Sequence, residues 1–183
     1  MNGRQVRPLA DFLSDSPLPY HRFLEFAIPL ADAVRKRHAT GISVGGFDAN
    51  TAMFDGLSDI TLPSSASAPT DFATDLKSIG AIFYHALTGL PFGETPDQAA
   101  LKRIYPVEAK LVVEKLLSLH PSGQFASAAE LHASLVLMKD VFEQSTSSSS
   151  SSRRPGSARL YLSLSLIALI IVMIWLIVAA LHR

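Results

Sequence analysis

Residues Thr70 to Phe92 read TDFATDLKSIGAIFYHALTGLPF. Phe72, Leu76, Ile79, Phe83, Ala86 and Leu87 recur at steps of three and four, the period of a helix with one apolar face. Ile82 and Tyr84 widen that face until little of the circumference is polar, the pattern of a helix buried at the centre of a core. Thr70 or Thr74 is placed to cap its start. Gly89 suits a left-handed exit, and Pro91 forbids continuation.

Outward from this helix, the 183-residue chain carries 16 Lys/Arg and 16 Asp/Glu, and contains no cysteine. Disulfides and cysteine metal sites are thereby excluded. The charge is unevenly spread: residues 1–152 hold 12 basic and 16 acidic residues (12 − 16 = −4), and residues 153–183 hold four arginines and no acid (+4). An acidic body with no basic stripe argues against a nucleic-acid partner. The six histidines, at 21, 38, 85, 120, 132 and 182, show no metal-ligand spacing. His85 lies on the central helix and reads as a hydrogen-bonded interior residue. No nucleophile sits in a triad motif, and Gly45-Gly46 alone does not make a phosphate-cradling loop.

Before the central helix, Met1 to Arg7 is polar and expected to fray, and residues 7–19 form a short amphipathic turn and a proline-bounded loop. Tyr20 to His38 reads as a helix with Phe23, Phe26, Ala27, Leu30, Ala31 and Val34 as its stripe. Pro29 should kink it or move its start. Arg35, Lys36 and Arg37 sit at its C-terminal end, where the helix dipole favours cations. The plain reading is a solvated helix end; the functional one is a patch for anionic lipid or phosphate. Ala52 to Phe54 then reads as a short strand, with Asp55-Gly56 as a hairpin signal. After the central helix, residues 93–100 are a loop and short helix, and Val107 to Leu119 a helix opened by Pro106. A capping box, Ser127 to Glu130, starts a last helix ending near Phe142.

Taken in order, these segments resemble the C-terminal lobe of a Ser/Thr protein kinase. Asp75, Ser78-Ile79-Gly80 and Leu87-Thr88-Gly89 match the central helix of that lobe. His120-Pro121 through Phe125, Ser127, Glu130 and Leu131 match its closing motif, with His120 for the usual Asp and Gln124 for the usual Arg. His38 and Gly41 match the approach to the catalytic loop. There the likeness degenerates: Val44-Gly45-Gly46 stands for His-Arg-Asp, Asp48 for the phosphate-contacting Lys, and Thr51 for the metal-binding Asn. Asp59 is the nearest candidate for the second metal-binding Asp, but lacks the Phe and Gly that should follow it. Ala68-Pro69-Thr70 replaces Ala-Pro-Glu, so both partners of the family's internal Glu–Arg pair, at 70 and 124, are absent together. Losing one partner of such a pair costs ~3–5 kcal/mol, whereas losing both can be nearly neutral.

The resemblance implies a mainly α, kinase C-lobe-like domain over residues 8–142 with a small β-hairpin. Asp75, Gly80 and Pro121 would be its structural residues. It implies no catalytic residue, since Gly46, Asp48, Thr51 and Asp59 are degenerate positions and phosphoryl transfer needs a carboxylate base and metal. No cofactor or metal is expected. ATP and magnesium enter only under an alternative reading, a residual kinase whose missing N-lobe comes from another chain or from a start placed too late. A third reading is an unrelated helical adaptor.

Residues 143–158 are serine-rich and read as a flexible linker. Residues 160–181 then run 22 positions without a charge. At 1.5 Å per residue that is about 33 Å, the thickness of a bilayer core. Three arginines precede the run and one follows, which places the N-terminal side in the cytoplasm. The sequence therefore predicts a tail-anchored, single-pass membrane protein whose partners are the lipid bilayer and another protein, acting as a signalling scaffold.

Overall fold

The computed structural model describes residues 6–63, 71–120 and 123–151. Met1–Val141 and Phe142–Arg183 form two compact units. The first is mainly helical with one small sheet: β1 (Arg7–Pro8), α1 (Leu9–Leu13), α2 (Tyr20–Ala39), β2 (Met53–Phe54), β3 (Ile60–Thr61), α3 (Phe72–Thr88), α4 (Gln98–Arg103), α5 (Val107–Leu116) and the start of α6 (Ala128–Ser151). The expected mainly α class with a hairpin is observed. Pro121, the 160–181 span and residues 152–158 of the expected linker lie outside the described residues. Among the described residues no helix is long and apolar enough to cross a membrane.

Helix α3 is the centre of the core. Leu76, Ile79, Ile82, Phe83, Tyr84, Ala86 and Leu87 are all buried. Its cap differs from expectation: Asp71, not Thr70 or Thr74, accepts the amide protons of Ala73 and Thr74, both at 3.1 Å. A carboxylate one residue before the first helical turn meets both the free amides and the positive dipole end, whereas a threonine hydroxyl there would meet the amides without the charge. Gly89 closes the helix at φ 73°, with its N–H donating to His85 O.

Helix α2 packs on α3 through aromatic rings set edge to face. Phe83 meets Phe23 at 4.9 Å and Phe26 at 5.9 Å between centroids, and Phe12 extends the group to Phe54 at 5.3 Å. Such pairs contribute about 0.5–1.5 kcal/mol each beyond burial. Pro29 lies inside α2, which nevertheless continues from Tyr20 to Ala39.

Three connections depart from the sequence expectation. Arg7 is not frayed: β1 pairs antiparallel with β2, Arg7 opposite Phe54, and the order β1-β2-β3 makes a three-stranded sheet. Pro8 is tolerated because β1 is an edge strand. The hairpin closes over a longer loop than Asp-Gly alone suggests. Asp55 Oδ1 accepts from the amides of Leu57, Ser58 and Asp59 at 2.9–3.0 Å, and the return strand begins at Ile60. Helix α5 ends at Leu116, with Ser118 at φ 63° breaking the run expected to reach Leu119.

The capping box at the start of α6 is present. The Glu130 amide donates to Ser127 Oγ at 3.2 Å, and its carboxylate accepts from the Ala126 amide at 2.7 Å. The helix does not stop at Phe142 but continues to Ser151, so the first part of the expected linker is helical. Ser145 and Thr146 return hydroxyl bonds to Phe142 O, and Ser147 to Glu143 O, which accommodates hydroxyl side chains in a helix.

Gly80 is where α3 and α5 come closest. A Cβ on it would lie 2.9 Å from Leu116 Cβ and 3.3 Å from the Leu116 carbonyl carbon. Neither atom is the end of a flexible side chain, so the helices themselves must move. Gly80→Ala should therefore destabilise the protein by about 1–2 kcal/mol in urea unfolding, the strain outweighing the ~1 kcal/mol that alanine gains in helix propensity. Gly80→Val should cost more. A stabilised Gly80→Ala variant would contradict this packing.

Candidate functional site

Asp75 lies in the first turn of α3 and is fully buried. Its carboxylate collects four hydrogen bonds from the segment that follows α2. Oδ2 accepts from the Val44 amide at 2.7 Å and from His38 Nε2 at 2.8 Å; Oδ1 accepts from the Gly45 and Gly46 amides at 3.0 and 3.1 Å. Gly45 and Gly46 sit at φ 87° and 78°, a conformation that turns consecutive amides toward one oxygen and that residues with a Cβ adopt at a cost. His38 is held from its other side by Phe72, whose ring centroid is 4.2 Å away. One turn along α3, Ser78 Oγ accepts from the Phe47 amide at 3.2 Å. Asp75 and Ser78, three apart on one helix face, thus hold the loop backbone from 44 to 47.

A first-turn acid could have been only a dipole partner. Its complete burial and its four donors make it the fastening of the loop instead. Ser78's bond was not foreseen, because helical spacing places Ser78 on this face without revealing what lies across from it.

The other sequence-selected positions do not converge. Asp48 binds its own turn: Oδ1 accepts from the amides of Asn50 and Thr51 at 3.0 and 2.9 Å and from the Thr51 hydroxyl at 2.9 Å. Thr51 is thereby committed to Asp48, its Oγ1 also accepting the Asp48 amide at 3.0 Å. The Asp48 carboxyl is held below the usual carboxylate range, chiefly by the Thr51 amide; partial burial opposes this, and the Thr51 hydroxyl and Asn50 add to it. Asp48 borders a groove of about 190 Å³ between the 47–50 turn and α3, with Ser78, Ile82 and half-buried His85 on its far wall. His85 is thus a groove residue, not the interior one expected.

Asp59 lies elsewhere, in a groove of about 440 Å³ between α2 and the segment Ser58–Leu62. Gly46 offers only a backbone amide, and that amide is spent on Asp75. Among the described residues no three His, Cys, Asp or Glu side chains cluster as metal ligands. The arrangement can order a loop; Asp48 and Thr51 are bonded to each other, and Asp59 lies in a separate groove.

Asp75→Ala should destabilise the protein by about 2–4 kcal/mol, because it leaves the buried Val44 amide and the part-buried His38 and Gly46 donors without an acceptor. His38→Ala removes one donor of four and should cost about 1–2 kcal/mol. Chemical unfolding of the two variants checks the order, which would reverse if the ring–Phe72 contact rather than the carboxylate fastened the loop. Asp48 supplies a pH signature. Its folded-state pKa is depressed, so its contribution is present above the ordinary value of about 4 and is lost as pH falls through the lower folded value. The melting-temperature gap between the wild type and Asp48→Asn should therefore be widest above that value and close on acidification; a gap constant down to strong acid would contradict it. No protein-family model and no curated protein sequence matches this chain.

Proposed function

We propose that the chain is a membrane-tethered, catalytically inactive kinase-like domain that serves as a protein-binding scaffold in signalling. The observation that carries this reading is the Asp75 carboxylate, which ties down the backbone of residues 44–46 where the resemblance puts its catalytic loop. The loop is kept in order while the position that should hold its base is Gly46. A glycine there accepts no proton from a substrate hydroxyl and binds no metal. Asp48 and Thr51 satisfy each other, and Asp59 borders a different groove. These placements support a reading without magnesium–ATP chemistry at these residues.

What remains useful is surface. Tyr105 and Val107 are 82% and 58% exposed at the entrance to α5, with Leu111 one turn further, so apolar side chains stand where a protein partner can reach them. Tethering is proposed through residues 160–181, with the helical domain on the cytoplasmic side.

The test is a thermal-shift titration of the full 183-residue chain in nonionic detergent, with ATP in the presence and absence of magnesium. A ligand at 100 times its dissociation constant adds about 2.7 kcal/mol to stability. The expected result is no shift under either condition. A magnesium-dependent rise in melting temperature would overturn the inactive reading in favour of a residual kinase completed by an N-lobe from elsewhere.

A further inference from the structure

The groove between α2 and Ser58–Leu62 plays no part in the loop fastening described above. Its volume, about 440 Å³, falls within the range of small-ligand sites. Its charged side chains are Asp32, Lys36, Arg37 and Asp59, and they are not equivalent. Asp32 is satisfied by its neighbours on α2: Arg35 Nη2 lies 2.6 Å from Oδ1 and Lys36 Nζ 2.8 Å from Oδ2. Arg37 enters none of the described ion pairs. Its Nε is sealed from solvent and has no hydrogen-bond partner. A sealed Nε is beyond a ligand's reach, but the guanidinium retains its charge and its Nη groups, which none of the described hydrogen bonds or ion pairs uses, remain to meet an acceptor in the groove it lines.

Asp59 gives the groove its second character. Its amide is used by Asp55, but its carboxylate enters none of the described ion pairs, and it shares the groove with Arg37 without pairing to it. The C-terminal end of α2 repels anions, so side chains, not helix amides, must hold one here. A plain dianion would meet Asp59 as well as Arg37. A molecule bearing both signs would satisfy both.

We propose that this groove binds a zwitterion that joins a phosphate to an ammonium group, the phosphate on Arg37 and the ammonium on Asp59. Phosphoethanolamine is the smallest molecule with that chemistry. It exists free in solution and as a lipid headgroup, two sources that a binding experiment separates.

The test is calorimetric titration of the full chain in nonionic detergent with O-phosphoethanolamine, inorganic phosphate, and dihexanoyl phosphatidylethanolamine. The expected result is binding of O-phosphoethanolamine that is tighter than binding of phosphate. Arg37→Gln should weaken it about tenfold or more, the effect of losing a charge-assisted bond, and Asp59→Asn should erase the advantage over phosphate. Lipid binding as tight as the free compound assigns the membrane headgroup, and binding of the free compound alone assigns a soluble ligand. Unchanged melting curves verify that the variants fold. Should Arg37→Gln fail to fold, Arg37→Lys, which keeps the charge and loses the guanidinium fork, replaces it, and Asp59→Asn stands on the exposed side of the groove. Failure of both phosphoethanolamine compounds to bind, equal affinity for phosphate, or binding indifferent to both substitutions would overturn the proposal.

Discussion

A carboxylate with no access to water must be matched on every lone pair it presents, or it works against the fold. Asp75 is matched by three consecutive amides and one imidazole, contributed by a segment about thirty residues earlier in the chain. That requirement fixes the distance between the end of α2 and the first turn of α3. It also fixes the backbone of residues 44–46, since three amides converge on two oxygens only when Gly45 and Gly46 take positive φ. The position of the 47–51 turn follows, because Phe47 is bonded to Ser78 in the next turn of α3.

The rest of α3 extends the same role by other means. Its apolar face is matched ring against ring with α2. Its glycine lets α5 approach to backbone distance. Tyr84, fully buried, uses its hydroxyl to accept the Asp97 amide at 3.0 Å, just ahead of α4. At the C-terminal end, Ala86 O accepts the Leu18 amide at 2.7 Å, which ties the loop before α2 to the same helix. One helix thus organises its neighbours through a carboxylate, a ring face, a missing side chain and a phenol, each suited to what lies opposite.

Much of this was legible in the chain. The three-and-four spacing of Leu76, Ile79, Phe83 and Leu87 announces the central helix, and the Ser127–Glu130 box announces α6, because both signals are local. The resemblance singled out Asp75 and Gly80, although spacing alone gave Asp75 no more than a dipole partner. What was hidden depends on distant contacts. Nothing in Arg7-Pro8 announces a strand, since two residues become one only when Met53-Phe54 lies alongside. The larger groove is equally silent, being built from one face of α2 and a segment some twenty residues downstream. The start of the serine run misled for another reason: composition marks it as a coil, whereas hydroxyls returning bonds to carbonyls one turn back let α6 continue. Thr74 looked like a cap by residue type, but the helix starts at Phe72, which puts Asp71 at the cap and Thr74 inside the first turn.

The fastening of residues 44–46 has a consequence for motion. Loops ordinarily open on their own, and their amide protons exchange with solvent long before the body unfolds. Here the amides of Val44, Gly45 and Gly46 are bonded to a side chain at the foot of the central helix, inside the core. Their partner does not move with the loop, because it belongs to α3. Three amides of an irregular, glycine-rich segment are thus bonded as firmly as those of a helix, although Gly45 itself lies at the surface.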